Sequence, residues 1–412
     1  HANSESTAGK IVLGDSSTTT CSTFCSMLIS SAELAKMSGS ELVIGGLRDD
    51  GSNSEDAQNS TATNGDIYVN ALTTANTSGF TNGVQLNVNA HLSGSKGAII
   101  FEGSASTFSA LTANAVDGIE VNSDLTTTTG ALSLDGDSDS TVDTLSGNDN
   151  ILFASGTTLT SAGNITLSAA SGGMVTAGDL TLSAPSSITM TGTMSGTGDI
   201  SLSASNGITL NNGISTSSGS LNINANSSTL TLGSGATFSS TNALTLAASS
   251  TTSSGDLTLT SSASTISVNN ALVSAGAVTM TASTGLTLSN STLTGSGNIS
   301  LQGGSSLSLA SGTTITSSAG NITLGASGGS ITANGALTLS SNGSITVSNA
   351  LTATGAATLN ANSGITLGNS FTANGAVALD ADLDNNGTGD FTISSGTLST
   401  TSNALTLTAN DL

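Results

Sequence analysis

Residues 163–183 read GNITLSAASGGMVTAGDLTLS, a short phrase of Gly, a polar residue and an aliphatic-Thr-aliphatic triplet stated twice. In GNITL, Ile165 and Leu167 are two apart, so in a β-strand they point to one face while Thr166 and Ser168 point to the other. The phrase returns as GDISL at Gly198, GSLNI at Gly219, GDLTL at Gly255, GAVTM at Gly276, GNISL at Gly297, GNITL at Gly320 and GALTL at Gly335. Most steps are 20, 21 or 23 residues, the mark of a solenoid whose coils are each too small to bury their own apolar face and do so by stacking. A longer echo, ASGTTLTSAGNITL from Ala154 and ASGTTITSSAGNITL from Ala310, indicates that coils were copied in groups. The expected fold is all-β: an elongated, single-stranded parallel β-helix of right-handed coil with about 20 residues per coil. About 20 such coils at about 4.8 Å each would make a rod of about 95 Å.

Composition agrees. Aromatic residues are 2% of the chain and Trp is absent, which suits a narrow tube filled by Leu, Ile, Val and Ala better than a wide core. Fifty Gly with abundant Ser and Thr could signal disorder, but disordered segments lack periodic aliphatics, and apolar residues are 36% here. Pro185, the single proline, falls between two strand phrases, where no ladder hydrogen bond is lost. Acidic residues number 26 against 4 basic ones, for a net charge of −22. The cations are Lys10, Lys36, Arg48 and Lys96, so residues 97–412 carry none. Nucleic acids and anionic lipids are bound through clustered Lys and Arg, so neither is expected as a partner. No apolar run reaches the 18 or more residues of a membrane-spanning helix, and the start at His1 reads either as a processed end or as the start of a fragment.

Three zones follow. Residues 1–60 are the least repetitive, with a first strand at KIVLG and Cys21 and Cys25 four apart; a short-range disulfide in an oxidising compartment is the expected reading, with two free buried thiols as its alternative. SAELAKM, capped by Ser31, is expected to be the one helix of the chain. Residues 61–153 form irregular coils with acidic loops, as in VQLNVNA, where Val84, Leu86 and Val88 alternate with polar residues. Residues 154–412 form the regular shaft.

The phrase SAELA at Ser31 with LVIGG at Leu42, the GNITL coils and the loop DADLDNNGTGDF at Asp380 together resemble the repeat region of filamentous-haemagglutinin-like surface proteins of Gram-negative bacteria. The resemblance covers most of the chain from about Leu28. It implies a secreted or surface-attached parallel β-helix serving adhesion, biofilm or cell-surface structure.

Candidate chemistry is sparse. No Lys, Arg or His follows Lys96, so no cationic oxyanion stabiliser or His-based triad can be assembled in the regular coils, and Tyr68 is the only Tyr; the chain is not expected to be an enzyme. Calcium is the one cofactor suggested. Asp382, Asp384, Asn386 and Gly387 match the first half of an Asp-x-Asp-x-Asn-Gly loop, with Asp380 before it and Asp390 at the ninth position, although Ile393 stands where a bidentate Glu should be. Asp135, Asp137 and Asp139 repeat the alternation with Ser140 in place of Gly, and for both clusters a solvated acidic turn is the competing reading. Outward Thr residues could stack into the kind of array that ice-binding solenoids display. The mixture of Thr with Ser, Asn and Ala, and steps of 15 to 24 residues, are expected to spoil such a lattice and to leave no thermal hysteresis.

The expected function is structural: a subunit of an extracellular or cell-surface filament that assembles with itself head to tail. Lys10, Ile11, Val12 and Leu13 at one end and Leu405, Leu407 and Leu412 at the other would be the contact surfaces, because solenoid ends without polar caps expose apolar rows and strand edges. The alternative is the shaft of a secreted adhesin for a cell-surface or carbohydrate ligand.

Overall fold

The computed structural model describes residues 9–15, 25–45, 64–88, 97–140, 149–289 and 292–411. Two compact units divide the chain, His1–Leu210 and Asn211–Leu412. Both are parallel β-solenoids, with coils about 22 residues apart and, among the described residues, helix confined to two single turns.

In the second unit, 27 strands from Ile214–Thr216 to Leu405–Thr408 run three to a coil, giving nine coils with three faces. The expected coil number was too high, because a coil needs three strands and three corners and averages more than 20 residues. Rows stay in register throughout. On one face Leu259, Met280, Leu301, Leu324, Val347 and Leu367 stack as Cα partners, all inward and 0–1% exposed. The outward positions do the same, as in Thr292–Thr314–Thr338–Thr358. Differences in step length are therefore absorbed in the corners and do not shift the rows, contrary to the expectation that uneven steps would spoil them.

The register also explains the shortest steps. Leu257–Ser261, Val278–Ala282, Ile299–Gly303 and Ile322–Ala326 share one face, but GALTL at Gly335 starts the strand Leu337–Ser341, which belongs to another. The 15 residues from Gly320 to Gly335 span two strands instead of three. The phrase is a strand with its corner, and any of the three faces accepts it.

Why the phrase begins Gly-Asp or Gly-Asn is visible at that corner. Asp256 Oδ1 accepts the amide of Ala277 in the next coil at 2.8 Å, and Asn298 Oδ1 accepts that of Asn321 at 2.8 Å. The acceptor of each coil thus satisfies a backbone donor that the strand ladder leaves open. A Cβ on Gly276 would come within 2.2 Å of Asp256 Oδ1, and one on Gly320 within 2.5 Å of Asn298 Oδ1, so the following coil must carry Gly there. Inward Ser residues close the opposite side of the strand: the hydroxyls of Ser274, Ser317 and Ser341 donate to the carbonyls of Gly255, Gly297 and Gly320 one coil back, at 2.7–2.8 Å. Being 1–3% exposed, these hydroxyls would be costly if left unbonded.

The first unit has the same faces in a less uniform form. Leu42–Gly45, Val84–Val88, Leu111–Ala115, Leu132–Asp135, Ile165–Ser168, Ile188–Thr191 and Ile208–Leu210 stack in parallel along one of them. Phe101 and Phe108, fully buried and edge-to-face at 6.5 Å, fill its early coils. Its helix, Ser31–Leu34, is capped by Ser30 and not Ser31: Ser30 N and Oγ donate to Glu33 Oε2 at 2.9 and 2.8 Å, and Glu33 N returns a bond to Ser30 Oγ at 3.3 Å. These bonds hold the Glu33 carboxyl below the ordinary range. It is not the only helix. Thr74–Thr77 makes a second turn, with Asn76 in the place of Glu and accepting the Thr73 amide at 2.7 Å, while its Nδ2 donates to Ser31 O at 3.0 Å. One turn lacking an apolar stripe leaves no helical period to read in the sequence.

Candidate functional site

The loop after Val377–Asp380 is built around Asp382, which is 8% exposed. Its Oδ1 accepts the amide of Asn386 and its Oδ2 that of Gly387, both at 3.0 Å. Asp380 Oδ1 accepts the Asp382 amide at 3.3 Å, Asn386 Nδ2 donates to Asp384 Oδ2 at 2.9 Å, and Asn386 Oδ1 accepts the Thr388 amide and hydroxyl. Asp384 and Asp390 are exposed. Asp382, the carboxylate a cation would need first, is thus engaged on both oxygens by the turn's own amides. The Gly387 expected for a sharp bend does adopt a left-handed φ of 78°. Among the described residues, no three His, Cys, Asp or Glu side chains converge as a metal-binding group.

The earlier acidic run is of another kind. Asp137 is 2% exposed, accepts the amide of Ser171 on Oδ2 at 2.7 Å and leaves Oδ1 buried without a hydrogen-bond partner. Asp135 Oδ1 accepts the Asp137 amide at 3.2 Å, and Ser140, where Gly was missed, takes a left-handed φ of 57°. Asp117 and Asp149 nearby are 3% and 6% exposed. No spacing rule singles out these two acids, because they come together through the coil register.

At the early end, Gly9–Gly14 lies between two strands, Cys25–Ile29 and Asn64–Asn70, both parallel to it. Ile11, Val12 and Leu13 are 6%, 1% and 0% exposed, whereas Met27 and Leu28 are 40% and 45% exposed. Among the described strands, Cys25–Ile29 pairs with Gly9–Gly14 alone, so the open edge at this end belongs to it and not to Lys10–Leu13. Lys10 is turned to its own chain: Nζ donates to Tyr68 Oη at 3.1 Å and sits 4.7 Å from the ring centroid, and the Tyr68 hydroxyl reaches Asp66 Oδ2 at 3.4 Å. Burial pushes the Tyr68 phenol up, opposed by the Lys10 hydrogen bond. Residues 58 apart gave no sign of this contact in the sequence.

At the other end Leu405 is 48% exposed and Leu407 half-buried. Leu412, Cys21, His91 and the side chain of Cys25 lie outside the described residues, and with them the expected disulfide. Compared with family models, curated proteins and solved structures, the chain matches none, so the parallel β-solenoid stands on its own register and burial.

Proposed function

We propose that the protein is a structural solenoid of the cell surface or extracellular matrix, similar in its repeat region to filamentous-haemagglutinin-like proteins, and that it assembles with copies of itself through coil edges. The observation that carries this reading is the interchangeability of the coils. One strand phrase serves on every face of the second unit, so the edge of one coil is complementary to the edge of any other. Leu405, Ile393 and Leu28 stand 48%, 36% and 45% exposed beside strand edges, the arrangement that templates further parallel pairing. A contact between unlike edges is heterologous and propagates without closing. The outer rows of Thr and Ser suit a hydrated shaft exterior.

Electron microscopy and sedimentation of the purified chain test this directly. Long fibres are expected, and a double change of Leu28 and Leu405 to Lys should leave soluble single particles. A wild-type chain that stays monomeric at high concentration in oxidising buffer overturns self-assembly and leaves the adhesin shaft as the reading to test.

A further inference from the structure

We infer that the corner formed by Asp137 and Asn150 in the first unit binds a calcium ion. Asp137 is buried here at 2% exposure, with its Oδ1 shut off from solvent and without a hydrogen-bond partner. A buried carboxylate is normally paired or coordinates a metal. Among the described residues no Lys or Arg pairs with Asp137, and an inorganic cation is the remaining counter-charge.

The register brings the groups together. Ile119 pairs with Ile151, so Asp117 and Asp149 occupy the same position of successive coils, about 4.8 Å apart along the stack. Asn150 pairs with Gly173, which sets Asp149 opposite Gly172. A Cβ on Gly172 would lie 2.4 Å from Asn150 Oδ1, and one on Gly136 would lie 2.9 Å from the Asn150 carbonyl oxygen. Asp137 Oδ2 is fixed on the neighbouring Ser171 amide at 2.7 Å. Asp137 and Asn150 therefore border the adjacent residues Ser171 and Gly172, with Gly136, the neighbour of Asp137, against the Asn150 carbonyl, and the oxygen that each has to spare, Oδ1 in both, is buried without a hydrogen-bond partner. The loop at Asp382 differs on this point, since both oxygens of its central carboxylate are taken.

A carboxylate and an amide oxygen, completed by main-chain carbonyls and water, make a hard-oxygen set suited to calcium, which accepts six to eight such ligands; no cage of three acids is needed. With few charged ligands the site should be weak, with Kd in the range of about 0.1–1 mM found in extracellular modules.

Calorimetry of the intact chain with calcium chloride should show one such equivalent. The affinity should fall about tenfold or more in Asp137→Asn and stay unchanged in Asp382→Asn. In chelator, Asp137→Asn should melt no lower than the wild type, because it removes a buried charge, and calcium should raise the melting temperature of the wild type alone. Should Asp137→Asn fail to fold, Asn150→Ala, which removes an oxygen and no charge, must weaken calcium by a similar factor. Absence of binding at millimolar calcium, or binding that survives the Asp137 change or moves with Asp382, overturns the assignment.

Discussion

The pentapeptide NALTL occurs twice in the second unit, at Asn242–Leu246 and Asn403–Leu407, and the two copies fare differently. Leu244 and Leu246 are 0% exposed; Leu405 is 48% exposed. The strands are the same, with the same inward leucines, but Leu244 has Leu221 on one side and Ile266 on the other, while Leu405 is paired to Val377 alone among the described strands. Burial in this molecule is thus conferred by the second neighbour and not by the strand itself. Fully burying one Leu is worth about 1.5–3 kcal/mol, so each coil depends on the next for a large part of its stability.

The largest effect should come from pressing on that difference. Leu244→Asp places a charge in a row with no cation in reach and is expected to cost more than about 4 kcal/mol, opening the flanking coils. Leu405→Asp should cost about 1 kcal/mol, in line with its half-lost burial. Urea denaturation read together with hydrogen exchange separates the two, and equal costs would mean that position within the stack is irrelevant.

Corner chemistry sharpens the comparison at the next level. Gly276→Ala drives a methyl onto Asp256 Oδ1 and should cost about 1–3 kcal/mol as an overpacking change. Asp256→Ala removes the bond to the Ala277 amide but only one of the obstacles, since the backbone nitrogen of residue 256 and the Gly255 carbonyl carbon would still lie 2.5 and 2.7 Å from the new methyl. In that background Gly276→Ala should keep most of its cost, which a double-mutant cycle reads as a small coupling energy. A large coupling would show that the Asp256 side chain, and not the backbone approach, is what demands Gly there. Ser317→Ala, which deprives the Gly297 carbonyl of its donor, should cost about 1 kcal/mol, and Ser317→Cys should restore little of it, sulfur being a weak donor.

What could be read from the sequence was whatever has a period of two. Inward Ile165, Leu167, Leu182 and Ile322 and outward Thr181 and Thr323 lie where alternation put them. The coil was harder to read, since the phrase marks one strand in three and changes face at the 15-residue step, so counting phrases does not count coils. The early strand order was not readable at all: nothing in KIVLG tells that Cys25–Ile29 will pair on its outer side. The acidic clusters show the limit most clearly. Asp380–Asp390 carries the better motif but satisfies itself, whereas Asp137 carries the poorer motif and keeps a buried oxygen open because its surroundings arrive from other coils. Motifs record spacing along the chain, and these sites are set by spacing across it.

The smallest effect is expected on the outer rows, and it decides what those rows are for. Thr346 stacks between Thr323 and Thr366 on a single face, outward and half-buried. Its β-branched carbons rest on their neighbours, a contact worth about 0.2–1 kcal/mol per pair, while its hydroxyl faces water, where a hydrogen bond contributes little net stability. Thr346→Val keeps the branched shape and should change stability by less than about 0.5 kcal/mol, while Thr346→Ala loses the packing and should cost about 0.5 kcal/mol more. If Val proves as harmful as Ala, the hydroxyls bond along the row and the face is an ordered polar lattice. If Val is neutral, as expected, the row is a hydrated sheet surface whose Thr is kept for its shape, and the inward leucines with their corner bonds hold the coils together.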